Sequence, residues 1–189
     1  MSQVSVNKSK SFFSAKHLSV CAAAMALAFV ASYIRLFQLP FGGSVTLCSM
    51  LFICLIGYWY GVRVGIVTGF AYGILQFIQE PYFLNVLQVC CDYLFAFAAL
   101  GLSGLFAGKK NGLLKGYLFA VFARGLFHVL GGYLFWMSDM PASFPKSIAF
   151  LYPFIYNYSF LLAEAAITVV LLLLPPVQKA LKQVQKTIM

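Results

Sequence analysis

Three residues of this chain pair a chemically able side chain with an apolar setting: Asp92, His128 and Asn157. Asp92 is the only charge in "NVLQVCCDYLFAFAALGLSGLFAG", residues 85–108. A carboxylate inside hydrocarbon is expensive to place and marks a functional site by default. Aromatic rings accompany all three. Tyr93 adjoins Asp92, Tyr82 lies just upstream, Trp136 follows His128, and Tyr152, Tyr156 and Tyr158 surround Asn157. An acid among aromatic faces suits a flat organic cation, with charge pairing from the carboxylate and cation–π attraction from the rings. Other chemistries lack their residues. The cysteines, Cys21, Cys48, Cys54, Cys90 and Cys91, lie in apolar runs without a Cys-x-x-Cys pair, and the only histidines are His17 and His128. No metal site is expected, and the cysteines serve as small apolar fillers. Walker A, Gly-x-Ser-x-Gly and His-Glu-x-x-His motifs are absent from the sequence. No catalytic residue and no cofactor are therefore expected.

The elements that must hold these residues are membrane helices. The chain has 189 residues, 62% of them hydrophobic and 9% charged, and its mean hydropathy is +0.91. That composition predicts an all-α, polytopic membrane protein. A crossing helix needs roughly 20 apolar residues. Six segments fit, over about 18–36, 44–60, 63–79, 84–107, 113–137 and 147–174. The breaks "RLFQLPFGG", "YGVRVG", "QEPYF", "GKKNG" and "SDMPASFPK" carry Gly, Pro or charge, as turns require. Three regions follow: a basic segment over 1–17, a six-helix domain over 18–175, and a basic tail over 176–189. No A-x-A-like cleavage site lies in the usual window, so the first apolar run is expected to stay as a transmembrane helix.

Positive charge sets the orientation. With both termini cytoplasmic, Lys8, Lys10, Lys16, Arg63, Lys109, Lys110, Lys115, Lys179, Lys182 and Lys186 lie inside, and only Arg35 and Lys146 outside. The net charge of +9 is then topology, and no nucleic-acid partner is implied. At ~1.5 Å per residue, Asp92 lies about 12 Å below the outer end of the fourth span and His128 about 13 Å below that of the fifth. Asn157 sits ten residues into the sixth, so three helices bring these groups to one level. His128, Gly132 and Trp136 recur every fourth residue and share a helix face, with Gly131 and Gly132 leaving space beside it.

Each residue also has a plainer role. Trp136 and Tyr152 fit an aromatic belt, and His128 and Asn157 fit interhelical hydrogen bonding. Arg124 is matched by depth to Glu164 and is expected to pair with it, which leaves Asp92 without a partner in the chain. In the first span, Ala24, Ala28 and Ser32 form one small-residue stripe, and Ala22 and Ala26 a second. Such stripes admit another helix closely, either the chain's own or a partner's. The partner is the favoured expectation.

"LQVCCDYLFAFAALGLSGLFAG", "RGLFHVLGGYLFW" and "YPFIYNYSFLLAE" occur in that order. With "PFGGSVTL" and "YGVRVGIVTGFAYGILQFI", they resemble the thiamine-specific S component of energy-coupling factor (ECF) transporters, from about Leu18 to Leu174. The resemblance implies a six-helix substrate-binding subunit of the bacterial plasma membrane that captures thiamine from outside. It implies Asp92 as the acid facing the cationic vitamin, with Tyr93 beside it. His128 and Asn157 would sit around the aminopyrimidine, Gly132 would be a close-approach glycine, and Trp136, Tyr152 and Tyr82 would be pocket aromatics. It implies partners: a transmembrane coupling subunit, which the alanine stripe would dock, and two ATPase subunits. Some members carry a Trp after the first span that covers the ligand; here "RLFQLPFGGSV" offers only Phe37 and Phe41. The rival functions are an S component for another vitamin such as riboflavin, an ion-coupled transporter using Asp92 and His128 as a proton relay, and, least favoured, a membrane enzyme.

Overall fold

Apolar runs broken by Gly, Pro or charge become helices over most of the described chain. The computed structural model describes residues 14–189, so Lys8, Lys10 and most of the basic segment over 1–17 lie outside the described residues. Helix α1 (Ala15–Tyr33) is capped by Ser14, whose hydroxyl accepts from the His17 amide at 3.2 Å. A short antiparallel hairpin follows, β1 (Arg35–Gln38) with β2 (Ser44–Thr46). Then come α2 (Ser49–Tyr60), α3 (Val62–Gln79), α4 (Val86–Phe106), α5 (Gly112–Phe135), α6 (Tyr152–Leu173) and α7 (Pro175–Ile188). Among the described residues, α1, α3, α4, α5 and the run Lys146–Leu173 that includes α6 are long and apolar enough to cross a membrane.

One expectation changes, and the C-terminal tail takes a definite form. The second apolar segment is helical only over the 12 residues of α2, about 18 Å long at ~1.5 Å per residue. The residues ahead of it, expected to be helical from 44, form β2 instead. Non-helical backbone at membrane depth is tolerated where protein buries it or where it lines a cavity, and both apply here. The C-terminal region is a helix, α7, set off by Pro175 and Pro176. Its lysines and apolar residues are arranged as in helices that lie along a membrane surface.

Helix α4 is irregular. Cys90–Phe95 forms wide π-type turns and Ala99–Phe106 tightens to 3₁₀ geometry. Turns of the first kind often mark functional positions. Gly65, Gly69 and Gly73 form a stripe on α3 that lets the two backbones touch. A Cβ at Gly73 would stand 2.6 Å from the carbonyl oxygen of Tyr93, and one at Gly65 would stand 2.7 Å from Cα of Gly101. Small residues at every fourth position permit such approach. This contact presses the Asp92 turn against α3.

One end of the bundle gathers the start of α1, the end of α2 and the C-terminus. His17 and Tyr60 rings lie 4.4 Å apart, and the Tyr60 hydroxyl donates to the Ile188 carbonyl at 3.3 Å. The hairpin and Asp92 lie toward the other end. The stripe Ala24, Ala28, Ser32 turns inward. Ala28 is fully buried, its carbonyl accepts from the Tyr72 hydroxyl at 3.0 Å, and Ser32 bonds to Gln76 and Gln79 of α3. Ala22 and Ala26 are exposed. The expectation that all five residues dock a partner is corrected for the first stripe, which packs against the chain's own helices.

Replacing Gly69 with Leu drives a side chain into the Phe97 carbonyl of α4. Overpacking of this kind costs about 1–3 kcal/mol or more. The expected outcome is a lower thermal midpoint in detergent, checked by the fraction that stays monodisperse on heating.

Candidate ligand-binding cavity

The cavity follows from the short α2 and the hairpin above it. It measures about 710 Å³ and is lined from the hairpin, α3, α4, α5 and α6, within the size range of small-molecule sites. All eight residues expected at a ligand site line it: Asp92 and Tyr93 from α4, His128 and Gly132 from α5, Trp136 just beyond α5, Tyr152 and Asn157 from α6, and Tyr82 from the turn before α4.

Asp92 is not alone. Its Oδ2 accepts from Gln88 Nε2 at 3.0 Å and from Trp136 Nε1 at 3.1 Å. His128 Nδ1 stands 3.6 Å from Oδ1, near but beyond a hydrogen bond. The expectation that Asp92 lacks a partner in the chain is corrected, with one qualification of kind: the partners are neutral donors and an imidazole. Among the described residues, no lysine or arginine forms an ion pair with it. Gln88 was not among the expected site residues. Its position one turn before Asp92 was the available signal. It is 1% exposed, and its Oε1 accepts from the Leu84 amide at 3.2 Å.

The imidazole is oriented from below. Arg124 Nε donates to His128 Nε2 at 3.2 Å. A guanidinium only donates, so Nε2 must accept, and the ring hydrogen sits on Nδ1, toward Asp92. The guanidinium carbon lies 4.0 Å from the centroid of the Phe97 ring, a cation–π arrangement.

The expected Arg124–Glu164 pair does not form. The described residues hold one Arg–carboxylate pair, Arg35 with Glu80 at the mouth of the cavity. Glu164 is 3% exposed, and its oxygens are taken by the start of α2 and the end of β2. Oε2 accepts from the Thr46 amide at 2.9 Å and the Thr46 hydroxyl at 2.6 Å; Oε1 accepts from the Met50 amide and the Ser49 hydroxyl, each at 3.3 Å. Cys48, the N-cap of α2, contributes no side-chain bond. The carboxylate of Glu164 does that work from α6, at a helix end that favours negative charge.

Gly131 and Gly132 differ in use. A Cβ at Gly131 would stand 2.7 Å from Asp92 Oδ1, so this glycine makes room for the carboxylate. One at Gly132 would stand 2.7 Å from Pro153 Cβ, so Gly132 admits α6. Asn157 Nδ2 donates to the carbonyls of Pro153 at 2.8 Å and His128 at 3.3 Å, joining α5 to α6.

The aromatics divide. Tyr82 and Trp136 rings are 5.0 Å apart at the mouth. The Tyr93 hydroxyl is tied to the Glu80 carbonyl at 2.8 Å, leaving its ring along the wall. Tyr156 holds the hairpin: its hydroxyl accepts from the Gly43 amide at 3.0 Å and donates to the Pro40 carbonyl. Tyr158 points elsewhere, packing on Gly125 and donating to the Phe122 carbonyl at 2.8 Å. Phe41 lines the cavity from the hairpin turn and Phe37 does not.

Fold and cavity together define a class, a multi-pass helical membrane protein with a recessed polar and aromatic solute site. Comparison with known proteins makes it specific. Residues 18–184 match the model of the thiamine transporter protein family (Thia_YuaJ), and the chain belongs to that family. It is 30% identical to the thiamine transporter ThiT of Bacillus subtilis (strain 168) over 188 residues, 89% of this chain and 93% of that protein. Its fold matches a solved structure of ThiT from Listeria monocytogenes with a TM-score of 0.67, at 24% identity over 85% of this chain and 94% of that one. The chain is thus a transport protein of the bacterial plasma membrane, not an enzyme.

Glu164→Ala strands the buried Thr46 and Met50 amides without an acceptor. Each unsatisfied group costs about 1–3 kcal/mol. A fall in thermal midpoint larger than that of Glu164→Gln is expected, together with faster hydrogen exchange at those two amides.

Proposed function

We propose that this cavity captures thiamine from outside the cell, with Asp92 as counter-charge to the thiazolium. The observation that carries this reading is a carboxylate facing an aromatic cavity with no lysine or arginine paired to it among the described residues. A cationic ring supplies the missing charge and stacks on Trp136, Tyr82 and Tyr152. The free Oδ1 of Asn157 would accept from the aminopyrimidine's amine with the His128 ring beside it, and Gly132 keeps α6 close enough for Asn157 to reach. The Tyr156-anchored hairpin, with Phe41, covers the bound ring.

Delivery needs more than this chain, which has no ATP-binding motif. We infer an S component working with a transmembrane coupling subunit and two ATPase subunits. Six crossings with both termini cytoplasmic fit the basic residues at one end of the bundle. Ala22 and Ala26, exposed on α1, offer the close-approach surface for the coupling subunit.

Thiamine added to the purified protein is expected to quench Trp136 emission saturably without ATP, while riboflavin does not. Asp92→Asn keeps the shape and removes the charge. Loss of a buried charge partner costs about 2 kcal/mol or more, so affinity should fall at least ~30-fold by calorimetry. Unchanged affinity in Asp92→Asn would reject the charge pairing, and riboflavin binding in place of thiamine would reject the substrate.

Gly131→Ala places a methyl against Asp92 Oδ1. It is expected to weaken thiamine binding while leaving the thermal midpoint of the ligand-free protein close to the parent's.

A further inference from the structure

At the end of the bundle away from Asp92, a second cavity of about 340 Å³ opens between the end of α2, the start of α5, the end of α6 and helix α7. Its walls are of two kinds. Leu113, Leu114, Leu172 and Leu173 supply hydrocarbon, while Lys109 and Lys182 supply charge from the turn before α5 and from α7. Neither lysine forms an ion pair among the described residues. The sequence explains why. The chain has four acids, Glu80, Asp92, Asp139 and Glu164, and none falls between Asp92 and Asp139 or after Glu164. Exposed Lys110 and Lys115 are close to Lys109 in sequence, and Lys179 and Lys186 lie three and four residues from Lys182 on α7. Among the described residues, Lys109 has a ring face for a partner, 4.8 Å from the Phe106 centroid, and neither Lys109 nor Lys182 has a carboxylate.

Two further features favour an anion there. Asn111, the N-cap of α5, makes no side-chain bond to the first turn, so the amide end of a 24-residue helix faces this region without a capping side chain. Helix α7, Pro175–Ile188, carries lysines and apolar residues in the manner of helices that lie along a membrane surface, where headgroups are met.

We propose that this cavity holds the phosphate of an anionic phospholipid, contacted by Lys109 and Lys182, with the acyl chains running along the exposed apolar side of α6 beside Leu173. Basic pockets between membrane helices bind such headgroups. Free phosphate shares the charge chemistry, but the leucine walls give it nothing to contact. A phospholipid uses both kinds of wall, its phosphate at the lysines and its tails at the leucines. This site is separate from the thiamine cavity and does not depend on that assignment.

Trp59 lines the cavity and is a built-in reporter, since the only other tryptophan is Trp136. In a Trp136→Phe background, the protein is placed in phosphatidylcholine vesicles with equal fractions of either brominated phosphatidylglycerol or brominated phosphatidylcholine. Brominated phosphatidylglycerol is expected to quench Trp59 more strongly. The Lys109→Gln/Lys182→Gln pair is expected to lower that preference on the order of tenfold, given the attraction of each basic residue to anionic lipid. The Lys109→Arg/Lys182→Arg pair, which keeps the charge, should retain it and so separates lost charge from lost fold. Equal quenching by the two lipids in the parent, or a preference unchanged in the Gln pair, overturns the proposal. Millimolar inorganic phosphate should leave the preference intact; if it abolishes the preference, the occupant is free phosphate and the lipid assignment falls.

Discussion

The carboxylate of Glu164 is the interaction on which the rest of the cavity depends. It sits inside the bundle and accepts from Thr46, Ser49 and Met50 at once. Those donors are the end of the hairpin and the start of α2. A helix that begins partway through a membrane leaves amide groups that hydrocarbon cannot satisfy. Glu164 satisfies them from another helix, and so allows α2 to be short. Because α2 is short, the space above it is free for the hairpin and for a ligand. Remove the carboxylate and the cavity loses its floor.

A second chain of contacts sets the chemistry of that space. Arg124 lies over the Phe97 ring and donates to His128, which fixes the ring hydrogen on the side facing Asp92. Gln88 and Trp136 hold one oxygen of Asp92 from opposite sides. These contacts orient the carboxylate without cancelling its charge. Rigid orientation before binding lowers the ordering cost that a ligand would otherwise meet. The hairpin is held by Tyr156 at its turn, by the Arg35–Glu80 pair at its start and by Glu164 at Thr46.

The polar residues at the level of Asp92 are legible in the sequence, and the hairpin and α3 walls of the cavity are not. Helical rise along three separate spans brings Asp92, His128 and Asn157 to one depth, and four-residue spacing joins His128, Gly132 and Trp136. These are local arithmetic on regular helices, and the structure gathers all of them around one space. The misjudged features involve departures from regularity. Arg124 and Glu164 were matched by depth alone, but depth does not include the unsatisfied amides of a shortened α2. Gln88 was passed over because an uncharged amide in an apolar run stands out less than a carboxylate. Tyr158 was grouped with its neighbours in sequence, although on a helix it faces away from Tyr156.

The sequence by itself determined the apolar helices, their order, the imbalance of positive charge and the scarcity of acids, because these depend on composition and on the repeat of a single helix. Only the tertiary structure decided where α2 begins, which small-residue stripe of α1 stays exposed, and which partner each buried charge takes. Each of those outcomes is a competition between groups distant in the chain for the same hydrogen bonds or the same packing space. Glu164 illustrates the difference. Its type and position are written in α6, but its donors lie 118, 115 and 114 residues away, and no local pattern names them.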